Sequence, residues 1–277
     1  MSSSPSLVNN LQINSAKGKI CTALGIKLIP TSEIVSIAKS AGYDSLFIDL
    51  EHSSFSLSQA SQLCAAGIMS GITPFVRVPH HCGNGFVQRV LDGGAMGVVF
   101  PHISSVEEAR DAVSICKFPA SATPGVVKLV SGKRSLTAGL PHFAYAPTPP
   151  STITTELDSH GSTVILMIES VAALENIDAI ASVPGVDVLL IGSNDLSLEL
   201  GIQGQWDHEL FRGALENVAR ACRKAGALLG VGGLYNRPDV LEDAIKRLGA
   251  RYILGNQDVG LVAAAARANV QVLKGLE

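Results

Sequence analysis

The chain has 277 residues, of which 47% are hydrophobic and 16% charged, and its net charge is −3. This composition excludes a disordered chain, and the absence of a long Lys/Arg run argues against nucleic acid or an anionic membrane as a partner. The polar start MSSSPSLVNN lacks a signal-peptide core and no later stretch reaches about 18 uninterrupted apolar residues, so we expect a cytoplasmic protein.

The first 17 residues are rich in Ser and Asn and are predicted to form a flexible arm. From residue 18 to residue 277, short apolar runs alternate with longer amphipathic runs, which predicts a single domain. The short runs are predicted strands, at 19–26, 45–51, 73–78, 97–103, 163–169, 187–193, 228–233 and 251–256. The amphipathic runs are predicted helices, at 31–42, 56–71, 84–95, 105–117, 170–183, 208–226, 237–250 and 258–276.

The predicted strands are near-continuous apolar runs rather than alternating ones. Such strands are covered on both faces, which is typical of a parallel sheet with crossover helices. Eight strand–helix units predict an α/β fold of the (β/α)8 TIM-barrel type. A doubly wound open sheet is the alternative, but the loop after the first strand, KLIPTSE, lacks the glycine-rich dinucleotide fingerprint.

One segment, at about residues 119–160, interrupts this alternation. It is rich in Pro, Ser, Thr and Gly and is longer than a normal barrel loop. We interpret it as a long loop at the active site or at an interface. The sequence GVVKLV within it has the propensity of a strand.

Polar residues end five consecutive strands, from the second to the sixth. Active sites of (β/α)8 barrels lie at the carboxyl ends of the strands, so we predict that these residues form one site. The GSNDLS turn after the sixth strand offers backbone N–H groups at a helix start, which suits a substrate carboxylate. The residues predicted to contact substrate are Arg77, His102, Ser193, Asn194 and Asp195.

Glu169 and Asp195 each follow an apolar strand and lie one βαβ unit apart. Two unpaired carboxylates on a dry rim resist ionisation, and a divalent cation relieves this repulsion. A set of two carboxylates with water and substrate oxygens suits Mg²⁺ or Mn²⁺. The alternatives are a helix-capping role for Asp195 and an ion pair of Glu169 with Arg77.

The segment FIDLEHSSF at 47–55 supplies a candidate acid–base group. His52 leaves the second strand just after Asp49 and Glu51, and a His oriented by an acid is a usable base. Arg77 can hold a carboxylate or a developing enolate oxygen through its planar fork. The alternative for Arg77 is a structural ion pair with Asp49 or Glu51. The remaining histidines are interpreted as surface or loop residues: His80, His81, His142, His160 and His208.

The chain resembles the HpcH/HpaI aldolase/citrate lyase family of metal-dependent pyruvate aldolases over roughly residues 19–275, and it is also similar to the macrophomate synthase branch. The segments that carry this resemblance are IDLEH at 48–52, FVRVP at 75–79, VLDGGAMGVVFPHI at 90–103, GKRS at 132–135, MIES at 167–170 and GVDVLLIGSNDLS at 185–197. The resemblance implies a barrel of the phosphoenolpyruvate/pyruvate type.

The resemblance also implies an activity, in which 4-hydroxy-2-oxo acids are formed or cleaved through a pyruvate enolate. Glu169 and Asp195 would ligate the metal, with Mg²⁺ first and Mn²⁺ or Co²⁺ as alternatives. Arg77 would hold the oxo or enolate oxygen. His52, with a metal-bound water, would be the acid–base group, oriented by acids such as Asp49.

The family usually assembles as hexamers, with the last helix packed on a neighbour. The resemblance therefore implies a homo-oligomer in which Asp92 is a catalytically helpful acid contributed across a subunit contact. No nucleic-acid or membrane partner is expected, only small-molecule substrates, a 2-oxo acid and an aldehyde.

Three departures affect specificity. Met167 stands where the family commonly has Gln, Ser193-Asn194 stands where it has Pro-Ala, and extra residues precede GKRS. The identity of the aldehyde is therefore left open. Two other functions also remain open, an oxaloacetate decarboxylase similar to macrophomate synthase and a non-catalytic barrel that binds a 2-oxo acid.

Overall fold

The structure is a computed structural model, and it describes residues 7–119 and 131–277. Eight parallel strands close into a barrel in chain order, which confirms the predicted fold. The strands are β1 (Cys21–Ile26), β2 (Ser45–Asp49), β3 (Thr73–Arg77), β4 (Gly97–Phe100), β5 (Thr163–Ile168), β6 (Val188–Gly192), β7 (Leu228–Gly232) and β8 (Tyr252–Gln257). The helices are α1 (Asn10–Ala16), α2 (Ser32–Ala41), α3 (Leu57–Ser70), α4 (Asn84–Asp92), α5 (Val106–Cys116), α6 (Pro150–His160), α7 (Val171–Glu175), α8 (Ile177–Ala181), α9 (Ser193–Glu199), α10 (Glu209–Ala225), α11 (Pro238–Lys246) and α12 (Asp258–Lys274).

The strands are apolar on both faces because each face packs into its own core. Phe47, Phe75 and Leu190 fill the interior of the barrel. Residues of the other face, such as Leu46 and Ile48, pack against the surrounding helices. This double burial explains the near-continuous apolar runs in the sequence.

The register of neighbouring strands brings their polar ends together at one rim. Asp49 is paired with Arg77 in the β2–β3 register, so the last residues of the two strands lie side by side. Capping boxes at Ser56 and Ser105 then start α3 and α5. These caps satisfy backbone N–H groups at the helix starts and define how the chain leaves the rim.

Part of the predicted flexible arm is ordered in the structure. Residues 10–16 form α1, where Leu11 is buried and the Asn9 side chain donates to the Thr163 hydroxyl over 3.0 Å. The Asn10 backbone N–H donates to the Thr73 hydroxyl over 2.8 Å. The asparagines thus bind groups at the amino-terminal end of the barrel, and composition alone does not reveal this docking.

The predicted long loop also contains regular structure. A 3₁₀ turn at Pro141–Phe143 and helix α6 lie within it, and Ile153 and Leu157 of α6 pack with Phe118 and Leu140 in a small separate core. The strand-like sequence GVVKLV at 125–130 lies outside the described residues.

His142, interpreted from sequence as a surface or loop residue, is buried in that 3₁₀ turn. Its Nε2 lies 3.1 Å from the Ala95 carbonyl oxygen. Burial lowers the pKa of His142 to about 4, so the side chain is neutral at physiological pH. His142 thus lies in the predicted loop segment but not on the surface, because a loop of low hydrophobicity can still supply a core residue.

The predicted helix over 170–183 is divided at Asn176 into α7 and α8. Among residues 7–119 and 131–277, no helix is both long and apolar enough to span a membrane.

Candidate active site

A cavity of about 190 Å³ opens at the carboxyl rim of the barrel, where the sequence predicted the site. Seven of the eight strands, all except β4, contribute to its lining, either directly or through the residues that follow them. The lining residues are Lys27, Phe47, His52, Arg77, Met167, Glu169, Leu190, Gly192, Ser193, Asn194, Asp195, Gly232, Gly233, Tyr235, Leu254 and Gln257. A larger cavity of about 420 Å³ lies beside the starts of α4 and α5, but none of the cationic or acidic residues predicted for the site line it. We therefore assign the smaller cavity as the candidate active site.

Glu169 is the most deeply buried carboxylate in this cavity, with 2% of its surface exposed. Its Oε2 accepts the backbone N–H of His102 over 3.0 Å. Burial raises the pKa of Glu169, and the nearby charge of Asp195 raises it further against the opposing effects of His102 and Arg77. A cation bound beside these two carboxylates would relieve their repulsion and favour the ionised form of Glu169.

Gly192 makes room for this carboxylate. A Cβ atom at Gly192 would lie 2.6 Å from Cγ and 2.8 Å from Cδ of Glu169, which is too close for any real contact. The backbone φ of Gly192 is −87°, a value that any residue adopts. The glycine is thus needed for space rather than for its backbone conformation.

Gly192→Ala is expected to displace the Glu169 side chain and to lower metal affinity by about tenfold or more, because a misplaced ligand weakens the site. Isothermal titration with Mn²⁺ measures this loss, and circular dichroism monitors the fold. The control is Gly213→Ala on α10, where an added Cβ meets no atom within 4 Å. Unchanged Mn²⁺ affinity in Gly192→Ala would contradict the role of Glu169 as a ligand.

The donor chemistry fits a divalent cation. Within the described ranges, no three His, Cys, Asp or Glu side chains converge as a complete ligand cluster. Glu169 and Asp195 would then supply two carboxylates, and water and substrate oxygens would fill the remaining positions. Such an incomplete, oxygen-rich set is typical of Mg²⁺ sites that take up part of their coordination from the substrate.

Arg77 is held rigidly beside these carboxylates. Its Nε donates to Oδ1 of Asp49 over 3.0 Å, its Nη2 donates to Oδ2 over 2.6 Å, and its Nη1 lies 3.2 Å from Oε2 of Glu51. Burial alone would raise the pKa of Asp49, but the Arg77 hydrogen bonds and charge hold that pKa below its usual range. The structural ion pair considered from sequence is present, and Arg77 still lines the cavity.

His52 also lines the cavity, but Asp49 does not orient its ring. Asp49 Oδ1 accepts the backbone N–H of His52 over 3.1 Å. The carboxylate near the imidazole belongs to Glu51, whose Oε2 lies 3.8 Å from Nε2 of His52. The imidazole is 55% exposed and accessible to substrate and water. Asp49 therefore contacts the backbone of His52 and not its ring, because the Asp49 side chain is paired with Arg77.

Glu51 is the central residue that sequence reasoning left without a defined role. It contacts Arg77, His52 and His102, and its Oε1 lies 3.3 Å from Nε2 of His102. Its position at the exit of β2, two residues after Asp49, was the available signal. Glu51 therefore links the two histidines to the buried arginine.

His102 is not among the residues that line the cavity. Its backbone has a φ of +56°, which directs the ring so that Nδ1 lies 3.4 Å from Oε2 of Glu169. The ring thus bridges Glu169 and Glu51. The substrate contact predicted for His102 stays a prediction.

Ser193 and Asn194 begin α9 directly after β6 and line the cavity together with Asp195. The Ser193 hydroxyl oxygen is buried and, within the described part of the chain, has no hydrogen-bond partner. Buried polar atoms are normally paired, so an unpaired hydroxyl at a cavity wall is consistent with a ligand contact.

Asp92 does not reach this cavity within one chain. It ends α4, far from the rim at which α4 begins, and Gln88 Nε2 and Arg134 Nη2 donate to it over 2.7 Å and 3.4 Å. A catalytic contribution from Asp92 therefore requires the site of another subunit.

Sequence reasoning missed three lining residues at the ends of the first, seventh and eighth strands, namely Lys27, Tyr235 and Gln257. Lys27 and Tyr235 follow β1 and β7, and Gln257 is the last residue of β8. Their position at a strand end was the available signal, but none of them belongs to a residue pattern with a specific chemistry.

Comparisons with known proteins identify the family of this chain. The sequence matches the HpcH/HpaI aldolase/citrate lyase family over residues 30–253. It is 47% identical over 258 residues to the 4-hydroxy-4-methyl-2-oxoglutarate aldolase tasA of Hapsidospora irregularis, covering 93% of this chain and 92% of that protein.

Two solved structures share the fold. An HpcH/HpaI aldolase from Desulfitobacterium hafniense has a TM-score of 0.83 at 27% identity, with 95% of this chain and 96% of that chain covered. Macrophomate synthase has a TM-score of 0.75 at 24% identity, with 98% and 89% covered, and at this identity it shows the fold alone. The predicted resemblance is confirmed, and the chain belongs to the HpcH/HpaI aldolase/citrate lyase family.

Proposed function

We propose that this chain is a metal-dependent aldolase that cleaves and forms 4-hydroxy-2-oxo acids through the enolate of pyruvate. The observation that carries this proposal is the convergence of Glu169, Asp195 and Arg77 on one small cavity. The name of the relative tasA, a 4-hydroxy-4-methyl-2-oxoglutarate aldolase, supports the same reaction class.

Glu169 and Asp195 would hold the metal, for which we propose Mg²⁺, with Mn²⁺ or Co²⁺ as alternatives. When bound, the ion supplies a Lewis acid that stabilises negative charge on the 2-oxo oxygen. The raised pKa of Glu169 requires metal binding to weaken as the pH falls through that value, because protonation removes a ligand.

Arg77 stabilises the enolate oxygen in this proposal. Its Nε and Nη2 are fixed by Asp49, so the guanidinium does not need to reorganise as charge develops. The Ser193 hydroxyl and the Asn194 side of the cavity are proposed to contact the substrate carboxylate.

His52 is the proposed acid–base group. In the cleavage direction it takes the proton of the C4 hydroxyl, the C3–C4 bond breaks, and the carbonyl product leaves. The electron pair of that bond forms the pyruvate enolate, and protonation at C3 then gives pyruvate. Glu51 is the acid beside this imidazole, with its Oε2 3.8 Å from Nε2 of His52.

His52→Gln is expected to lower kcat for cleavage by roughly 10²–10⁴-fold, the usual contribution of a positioned acid–base group. Added imidazole is expected to restore part of the activity in a pH-dependent way. The control is His160→Gln on α6, outside the cavity. A variant at His52 with unchanged kcat and pH profile would assign the proton transfer to another group.

The function is tested with 4-hydroxy-4-methyl-2-oxoglutarate, EDTA-treated enzyme and added Mg²⁺. We expect two molecules of pyruvate per substrate, measured with coupled lactate dehydrogenase. Release of CO₂ from oxaloacetate without cleavage of any 4-hydroxy-2-oxo acid would instead indicate the decarboxylase. Pyruvate binding without turnover of either compound would indicate a non-catalytic barrel.

We further propose a homo-oligomer, a hexamer by family resemblance. Five apolar residues of α12 are exposed in the single chain, namely Leu261, Val262, Val270, Val272 and Leu273. Asp92 does not line the cavity of the chain to which it belongs. Light scattering is expected to give about six times the chain mass of 28.8 kDa. A monomeric mass at micromolar concentration would contradict this assembly.

A further inference from the structure

Lys27 is a cationic residue of the cavity to which the proposed mechanism assigns no role. It follows β1 directly and lines the cavity together with Arg77, Glu169 and Asp195. The same cavity therefore contains a second positive side chain on a different strand end from Arg77.

The backbone at Lys27 is fixed by a buried carboxylate. Asp258, at the start of α12, accepts the backbone N–H of Lys27 through Oδ1 over 3.1 Å and that of Leu28 through Oδ2 over 3.0 Å. Oδ2 also accepts the N–H of Ile29 over 2.8 Å, and only 1% of Asp258 is exposed. The loop that carries Lys27 is thus attached to the barrel at three successive residues, and the side chain extends from a fixed base.

The two cations of the cavity differ in their partners. Arg77 is paired with Asp49 and Glu51. Lys27 forms no ion pair with any carboxylate of residues 7–119 or 131–277, although acids pair with many other cations of the chain. With Glu169 and Asp195 assigned to a divalent cation, Lys27 is a cation of the cavity wall without a carboxylate partner among the described residues, and it suits an anionic group of the substrate.

We infer that Lys27 binds a second carboxylate, carried on C4 of the 4-hydroxy-2-oxo acid, and thereby selects substrates whose carbonyl half is itself a 2-oxo acid. This inference rests on the proposed aldolase function. One carboxylate of the diacid lies at the reacting 2-oxo end, near Ser193 and Asn194. The other lies beyond the C3–C4 bond and pairs with Lys27. A substrate with a methyl group at that position leaves the ammonium without a partner, so it loses a charge-assisted hydrogen bond.

The test compares two substrates that differ only in the group on C4. 4-Hydroxy-2-oxoglutarate carries a carboxylate there, and 4-hydroxy-2-oxopentanoate carries a methyl group. Lys27→Met is expected to lower the ratio of kcat/KM for the diacid over the monoacid by roughly ten- to hundredfold, the range of one charge-assisted hydrogen bond. The loss is expected mainly in KM, because the contact is made in both the ground state and the transition state.

Two variants serve as controls. Lys27→Arg retains a cation and is expected to keep most of the diacid preference. Lys19→Met removes an exposed lysine before the opposite end of β1 and is expected to leave the ratio unchanged. A merely structural role for Lys27 would lower kcat/KM for both substrates alike and leave the ratio of the two values unchanged.

An unchanged ratio in Lys27→Met, with an active wild-type enzyme, would overturn this inference and leave the aldolase function standing. Failure of the wild-type enzyme to cleave either substrate, with no enolate formation from pyruvate, would overturn the proposed function and this inference with it. A wild-type enzyme that prefers the monoacid would also overturn the role of Lys27.

Discussion

Replacing Glu169 with Gln is expected to lower kcat for 4-hydroxy-2-oxo acid cleavage by at least about a thousandfold, because Lewis-acid stabilisation contributes several kcal/mol to such reactions. The variant keeps the shape of the side chain and its contact with the His102 N–H. It also removes a buried charge whose pKa is raised, so the fold should be as stable as the wild type or more so near neutral pH. Loss of activity would then reflect lost metal binding, not unfolding.

Asp195→Asn is expected to give a similar loss, and the double variant should be little worse than either single one, since both remove the same ion. Calorimetric titration with Mn²⁺ should show weakened binding in all three. The matched control is Glu175→Gln, an exposed acid on α7. Normal metal-dependent turnover in either single variant would remove that residue from the ligand set.

Arg77→Met is expected to reduce both activity and stability. Loss of one preorganised donor to a developing oxyanion typically costs about 10²–10³-fold in kcat. Removal of one partner of a buried ion pair costs about 3–5 kcal/mol of unfolding free energy, because Asp49 and part of Glu51 are left without a cation. Arg77→Lys keeps the charge but loses the bidentate contact with Asp49. We therefore expect an intermediate loss of both kcat and unfolding free energy.

The stability loss in Arg77→Met should depend on pH in a defined direction. In the wild type the lowered pKa of Asp49 contributes stability above the ordinary carboxyl range, and this contribution disappears as the pH falls through the lowered value. In the variant, burial is unopposed by Arg77 and raises the Asp49 pKa, so the fold loses stability as the pH rises. The difference between the two proteins should therefore shrink as the pH is lowered from 7 toward 4.

Urea denaturation across this pH range measures the difference. Arg110→Met on α5 is the control, since Arg110 is exposed and its contact with Glu107 is long. A difference in unfolding free energy between the wild type and Arg77→Met that grows toward acidic pH would contradict the assigned coupling between Arg77 and Asp49.

The barrel was predictable from sequence because each strand is buried on both faces and therefore apolar at nearly every position. α1 and α6 were not predicted, because their positions depend on contacts with distant residues. The asparagines of the α1 region bind Thr73 and Thr163, and α6 buries Leu157 in a small core with Phe118. Neither segment carries a strong periodic signal of its own.

The site was predictable where strand ends carry charge. Glu169, Asp195 and Arg77 were found because every parallel strand of a barrel delivers its last residue to the same rim. The partners of each side chain were not predictable, because they depend on distances of a few ångströms. Asp49 was expected to orient the His52 ring. In the structure the Asp49 side chain is paired with Arg77, and Glu51 is the carboxylate near the imidazole.

Exchange of the methyl protons of pyruvate with deuterium, followed by proton NMR, tests enolate formation without any assumption about the second substrate. We predict no exchange in EDTA-treated enzyme, exchange after addition of Mg²⁺ or Mn²⁺, and no metal-restored exchange in Glu169→Gln. Exchange that is independent of metal, or absent with every divalent metal in an enzyme that binds pyruvate, would contradict a metal-dependent pyruvate enolate in this barrel.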